Sequence, residues 1–247
     1  MYVKNGLEAA NHMKKYFPRI ADEILISHLE SKGAVLIEGP KWCGKTTTAK
    51  HIAKSAISMD QPDLTRQYRE MSELNPSALL QGETPHLIDE WQIAPNIWNA
   101  VRYEVDQRDE FGQFILTGSA VPAKLDESAH SGIGRIVRMR MRPMSLYESG
   151  DSSGTVSLWD MFEGKSVEGS DDHLLEDIAF EICRGGWPKA IDQTSKVALQ
   201  QAKDYYEAVI SDDISRADNV KRDKERTKGI LRSYARNIAT QTSLEMW

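Results

Sequence analysis

Ala34-Val35-Leu36-Ile37 is an unbroken apolar run that stops at Glu38-Gly39-Pro40. A short run closed by turn residues predicts a buried strand. Beyond the turn, Ala49, Ile52, Ala53, Ala56 and Ile57 recur at helical spacing, which predicts a helix over Thr46 to Ile57. His86-Leu87-Ile88, introduced by Pro85, and Phe114-Ile115-Leu116 predict two further buried strands, with a helix from Ile97 to Val105 between them. Along Ile136 to Met141 the period drops to two. Val137, Met139 and Met141 point one way and Arg138, Arg140 and Arg142 the other, so this is a strand. Strands interleaved with helices predict an α/β fold built on a parallel sheet.

The pattern changes after Pro143. Residues 149–172 are rich in Gly, Ser and Asp around Leu158-Trp159 and Met161-Phe162, and predict a loop or linker. From Leu174 onward the spacing is helical, through Leu174, Ile178 and Ile182, then Leu199, Ala202, Tyr206, Val209 and Ile214, then Ile230, Leu231, Tyr234 and Ile238. The expected division is 1–143 for the α/β core and 144–247 for a helical region. No internal repeat is visible. The last residues, Leu244-Glu245-Met246-Trp247, make an apolar tip without a stop signal and read as an element cut in its middle.

Composition adds exclusions. Of 247 residues, 40% are hydrophobic and 28% charged, as in ordinary soluble globular proteins. No apolar run approaches the roughly 20 residues of a membrane span, so no membrane partner is expected. Residues 1–10 carry no apolar core of a secretory signal. Cys43 and Cys183 have no metal-type spacing, and a reduced cytoplasmic location is the simplest expectation. The net charge of −6 is unevenly spread. Arg135, Arg138, Arg140 and Arg142 cluster, and residues 216–236 hold eight Lys or Arg against three Asp or Glu. Such segments suit local polyanion binding; for 216–236 a solvated helix face with alternating charges is the equal alternative.

The chemistry concentrates at Gly39-Pro40-Lys41-Trp42-Cys43-Gly44-Lys45-Thr46, a G-x-x-x-x-G-K-[ST] pattern that follows a predicted strand and opens a predicted helix. Gly39 and Gly44 free the backbone to curl its N–H groups around phosphate oxygens. The helix N-terminus adds its partial charge, Lys45 supplies an ammonium to the β- and γ-phosphates, and the Thr46 hydroxyl is a Mg²⁺ ligand. With Thr47, these are the expected nucleotide contacts, and ATP or ADP the expected ligand. Cys43 reads first as a small loop residue; a helix N-terminus can also activate a thiol, so alkylation blocked by nucleotide is expected.

His86-Leu87-Ile88-Asp89-Glu90 ends a buried strand in an acidic pair. Asp89 is expected to hold the metal's water shell and Glu90 to act as general base on the attacking water. That glutamate favours a hydrolytic ATPase over a kinase or a GTPase. A guanine-type element is also missing, since Ala123-Lys124-Leu125-Asp126 begins with the wrong residue. Phe114 to Ser119 ends the third strand in hydroxyls, and Thr117 or Ser119 is a γ-phosphate sensor or else a turn with a cap. Arg135, after His130-Ser131-Gly132-Ile133-Gly134, is an arginine-finger candidate, in cis or from a neighbouring subunit, or a structural arginine.

Taken together, Tyr16-Phe17-Pro18-Arg19-Ile20, the Gly39–Thr46 loop, Leu87-Ile88-Asp89-Glu90-Trp91-Gln92, Phe114–Ser119, Ser131–Arg135, Arg142-Pro143-Met144-Ser145-Leu146-Tyr147-Glu148 and Gly185-Gly186-Trp187-Pro188 resemble the AAA+-like ATPases of bacteria and archaea that carry a C-terminal domain of unassigned function. The resemblance implies a P-loop NTPase core, a helical lid, a winged-helix element and a further nuclease-like domain. On it, Leu231 to Trp247 is the start of a truncated winged helix. It also puts Arg19 near the adenine and Arg184 or Gly185-Gly186 at the lid contact, packing being the other role open to each. Trp42 and Cys43 depart from the smaller or different residues such proteins often have there. The expected function is Mg-dependent ATP hydrolysis coupled to DNA or a protein partner, with a homo-oligomer in view. The alternative is a nucleotide-gated regulatory module that holds ADP and turns over little.

Overall fold

Apolar runs with no polar alternation bury both of their faces, and that demand organises the core. The structure, a computed structural model, describes residues 16–118, 132–214, 222–238 and 240–241. Among these, five strands form one sheet: β1 (Ala34–Glu38), β2 (Ser55–Ser58), β3 (His86–Asp89), β4 (Phe114–Gly118) and β5 (Ile136–Arg140). Their order is β2-β3-β4-β1-β5 and every pairing is parallel. The register sets Glu38 beside Gly118 and Arg140, Thr117 beside Asp89, and Ser58 beside Asp89. The C-terminal strand ends therefore share one edge, where ligands of open parallel sheets bind.

Successive strand residues feed two separate cores. Leu36, Ile88, Phe114 and Leu116 pack with Ile97, Trp98 and Val101 of α4 (Asn96–Arg108). Their neighbours Val35, Ile37, Leu87 and Ile115 pack with Leu25 and Leu29 of α1 (Ile20–Ser31) and with Ala49 of α2 (Lys45–Ile52). Each such side chain, fully buried, contributes about 1.5–3 kcal/mol. A further helix, α3 (Thr65–Leu74), and a 3₁₀ turn at Pro76–Leu80 lie beside α4.

Two expectations about elements need correction. The helix expected over Thr46–Ile57 ends at Ile52, because Ala53 turns extended, and Ser55–Ser58 becomes edge strand β2. The stretch 149–172 is not all loop. It follows α5 (Leu146–Ser149) and contains α6 (Leu158–Phe162), which starts at a Ser157 side-chain cap. The helical region continues with α7 (Leu175–Arg184), α8 (Pro188–Ile191), α9 (Ser195–Ala208), a π-helical turn at Val209–Asp213 and α10 (Lys224–Asn237). It is tied to the core through Glu148, which accepts from Arg19 Nε at 3.0 Å and from the Ile20 N–H at 2.8 Å, and is braced internally at two points. The Met144 N–H donates to the Gly186 carbonyl at 2.7 Å, and buried Arg184 donates to both oxygens of Asp151, at 2.5 and 3.3 Å. The winged-helix expectation past α10 and the basic residues Arg216 and Lys221 fall outside the described residues.

Candidate nucleotide site

The loop between β1 and α2 is held by close approaches. A Cβ on Gly39 would collide with the Met141 carbonyl oxygen, and Gly44 caps α2 at φ 105°. Gly44 lies in the left-handed region, where side chains other than glycine are strained. Trp42 is also left-handed, at φ 66°, at a cost of roughly 1–2 kcal/mol for a non-glycine residue. The first N–H groups of α2, as in any helix, have no partners inside the helix. Lys45 Nζ bridges the Gly39 and Pro40 carbonyls, at 2.9 Å each, and is buried beneath the loop.

The acidic strand meets this loop across β4. Asp89 Oδ1 accepts from the Thr46 hydroxyl at 2.8 Å and from the Thr117 hydroxyl, while Oδ2 accepts from Ser58 at 3.5 Å. Because β4 lies between β1 and β3, Thr117 stands between the loop and the carboxylate. A hydroxyl and a carboxylate of this kind are the hard oxygen donors that suit Mg²⁺, which is held by few protein groups and completed by phosphate and water. Among the described residues no group of three or more His, Cys, Asp or Glu is placed so that it could hold a metal ion. Glu90 follows in a left-handed conformation, φ 54° and ψ 43°. Burial pushes its carboxyl above the ordinary range, opposed by the amide of Gln92, which donates to Oε2. Lys45, Thr46, Thr47 and Glu90 line a cavity of about 410 Å³, closed from the helical region by Pro188 and Lys189. Lys41, Trp42 and Gly44 complete it.

The remaining expected residues fall elsewhere. Arg19 is buried behind the loop. It donates from Nη1 to the Cys43 carbonyl (2.8 Å), from Nη2 to the Arg142 carbonyl (2.9 Å) and from Nε to Glu148 (3.0 Å). Its guanidinium braces the loop and is not presented to a base. The Cys43 thiol also points away, into the core toward the Met141 carbonyl at 3.9 Å, and burial pushes its pKa up. That overturns the expected activation, because desolvating a thiolate outweighs the nearby helix end and Lys45. Arg135 sits at the far end of the sheet: its carbonyl accepts from the Ala34 N–H, and its side chain pairs with Asp106. The length of β1, about 16 Å at strand rise, separates it from the loop, so the in-cis form of the finger is excluded. Arg138 pairs with Glu38 at 2.6 Å, so part of the arginine cluster is internally compensated. Arg184 and Gly186 pack within the helical region, against Asp151 and Met144 respectively. Ser119 lies outside the described residues.

Sequence reasoning missed Ser58, Lys189 and the role of Gln92, each a lone polar residue whose importance appears only when the strands come together. It also missed an aromatic chain from the loop into the helical region. Tyr205 on α9 packs on Trp42 (ring centroids 5.5 Å apart) and on Trp187 (4.4 Å).

A parallel sheet with the phosphate loop after β1, and an acidic pair after a strand one place removed from it, defines a P-loop NTPase core. Comparison with known proteins narrows the class. Residues 31–150 match the family described as an AAA domain, and residues 175–246 match a family described as a domain of unknown function. Residues 31–150 are thus similar to an AAA domain, a match that takes in a little under half of the chain. Two curated proteins, both named as uncharacterized, from Mycobacterium bovis and Mycobacterium tuberculosis, are 30% identical over 131 residues. That alignment takes in 51% of this chain and 28% of theirs, so the chain spans less than a third of these relatives. Among solved structures, the Walker-type ATPase of Pyrococcus abyssi is similar over 94% of this chain and 87% of its own, at 14% identity and a TM-score of 0.46. The FIGL-1 AAA domain in complex with ADP is similar over 94% and 88%, at 16% identity and a TM-score of 0.41. Among the described residues no helix is long and apolar enough to cross a membrane.

Proposed function

We propose that the chain binds ATP with Mg²⁺ and hydrolyses it to ADP and phosphate, with residues 1–143 as the catalytic core and 144–247 as its helical lid. The observation that carries this reading is the Thr46 hydroxyl resting 2.8 Å from the Asp89 carboxylate, with Glu90 on the same cavity. The loop amides and Lys45 gather the phosphates, and Lys45 exchanges its two carbonyl partners for phosphate oxygens. Thr46 and Asp89 would hold the ion, which when bound supplies positive charge to those oxygens. Glu90 takes the proton of the attacking water, a task suited by burial that raises its basicity. Thr117, already on Asp89, keeps that carboxylate in place. Arg135 serves a neighbouring copy or none. DNA coupling through 216–236 and the region beyond belongs to the same proposal, and would show as binding that weakens steeply with salt.

Steady-state phosphate release and calorimetry test the core claim. Lys45→Ala should weaken Mg·ATP uptake by about 10- to 100-fold, the worth of a charged hydrogen-bond set. Glu90→Gln should retain uptake and abolish turnover. Turnover in the unaltered protein no greater than in Glu90→Gln would replace this reading with the alternative one, a nucleotide-gated module that holds ADP. The contact of Trp42 with Tyr205 favours that second reading, because it gives the loop a direct mechanical link to the lid.

A further inference from the structure

Helix α7 is amphipathic with its apolar side outermost. Leu175, Ile178 and Ile182 recur at helical spacing along one face, and Leu175 and Ile182 are 78% and 76% exposed. The other face is in use. There α7 packs on α9, and Arg184, on the opposite side of the helix from Leu175, is buried against Asp151. Single exposed aliphatic residues are ordinary, but a stripe at this spacing is what a helix normally turns toward a core. Asp172 and Glu176 stand at the start of the stripe, both exposed, and among the described residues neither is paired with a base.

Helix α10 carries a second stripe, with the opposite charge beside it. Ile230, Tyr234 and, at the C-cap, Ile238 recur at every fourth residue, and Ile230 and Ile238 are 60% and 65% exposed. Arg232 and Arg236 lie along the same stretch, both exposed, and among the described residues neither is paired with an acid. The two stripes match in length. At helical rise, Leu175 to Ile182 spans about 10 Å and Ile230 to Ile238 about 12 Å. Both are exposed in the single chain, so the copy that carries them does not cover them. DNA would neutralise the arginines and leave the isoleucines in water. An acidic helix with an apolar stripe would answer both needs, and α7 is such a helix.

We propose that α10 of one copy of this chain docks on α7 of a second copy. The helices run antiparallel, with Ile230, Tyr234 and Ile238 against Leu175, Ile178 and Ile182, and with Arg232 and Arg236 beside Asp172 and Glu176. Antiparallel packing sets opposite ends of the two helix dipoles together. It also brings the arginine-bearing end of α10 to the acidic end of α7. A single helix pair is smaller than a standard interface, so the association is weak, with a Kd between about 1 µM and 1 mM. No residue of the nucleotide cavity takes part, and the proposal does not rest on hydrolysis.

Sedimentation velocity and light scattering on the full chain, across that concentration range, should show reversible self-association that weakens with salt. Two charge-reversed variants probe the contact from its two sides: Asp172→Lys with Glu176→Lys, and Arg232→Glu with Arg236→Glu. Each sets like charges together and should weaken association by about tenfold or more, with the urea midpoint unchanged because all four residues are exposed. Mixing the two variants should restore association to the wild-type strength. The reversed α7 of one then meets the reversed α10 of the other, while their unaltered helices pair as before. A folding defect would not be repaired by mixing. A mass of one chain throughout, association unmoved by either variant, or a mixture no stronger than its components would overturn the proposal. So would capture of a DNA duplex through Arg232 and Arg236 while the protein stays a single copy. None of these outcomes touches Glu90-dependent phosphate release, on which the ATPase reading stands or falls separately.

Discussion

Cys43 and Cys183 have nearly the same intrinsic chemistry and opposite surroundings. Cys43 has no exposed surface and its thiol is pushed up by burial, whereas Cys183 on α7 is exposed. Thiolate is the reactive form, and an inaccessible high-pKa thiol offers almost none. A maleimide should therefore label one cysteine in the native protein, Cys183, and two after denaturation, as counted by intact mass. Labelling of Cys43 in the folded state would mean that the loop opens away from Met141. Gly44 and Trp42 make the converse point: both take left-handed backbone, one at no cost and one under strain. Local strain of this kind collects at functional sites, and Glu90, on the other wall of the cavity, shows it too.

At the scale of elements, the start of α1 and the start of α5 share one carboxylate. Glu148 accepts from the Ile20 N–H (2.8 Å), the Ser145 N–H (2.7 Å) and Arg19 Nε (3.0 Å). The side chains of Arg19 and Glu148 are only 4% and 8% exposed, so this is a buried pair. Arg19→Met should cost about 3–5 kcal/mol in urea unfolding, since it strands a buried charge, and should loosen the loop through its lost bond to the Cys43 carbonyl. The pair also sets an acid limit. Burial alone would raise the Glu148 carboxyl, but the two backbone N–H donors and Arg19 together hold it below its ordinary value of 4.5. A depressed folded-state pKa gives stability that is complete above the unfolded value and lost as pH falls through the folded one. Glu148→Gln should flatten the fall in stability below about pH 4.5.

Legibility in the sequence divides along the same physical lines. Strands β1, β3 and β4 were readable because central strands bury both faces and so carry uninterrupted apolar runs. Strand β2 was not, because Ser55 and Ser58 sit on an edge that never needs to be dry, and Ala56 and Ile57 kept step with the preceding helix. Helix α1 escaped notice because Ile20, Ile24 and Ile26 are exposed alongside buried Leu25 and Leu29, which blurs the period. The phosphate loop and the Asp89-Glu90 pair were legible because their chemistry fixes residue type and spacing. Strand order was not, being a property of crossovers. With it went the place of Thr117 between loop and carboxylate, and the distance of Arg135 from both.

For the molecule as a whole, the loop and the helical region meet through Trp42, Tyr205 and Trp187. Phosphate binding that reshapes the loop must disturb this stack, so Mg·ATP should change the tryptophan emission. Trp42→Phe should remove most of the change and Tyr205→Ala should reduce it, as read by fluorescence titration. An unaltered spectrum in protein that binds nucleotide by calorimetry would mean that loop and lid move as one piece.

The position of Arg135 has a geometric corollary. A body with its phosphate cradle at one pole of a sheet and its candidate arginine at the other is polar, like a magnet. A twofold axis perpendicular to that line can set two such bodies side by side and antiparallel, each cradle beside the other's arginine. End-to-end succession joins unlike poles as well, and where the twofold pair is self-limiting at two, a succession closes into a ring or grows without limit.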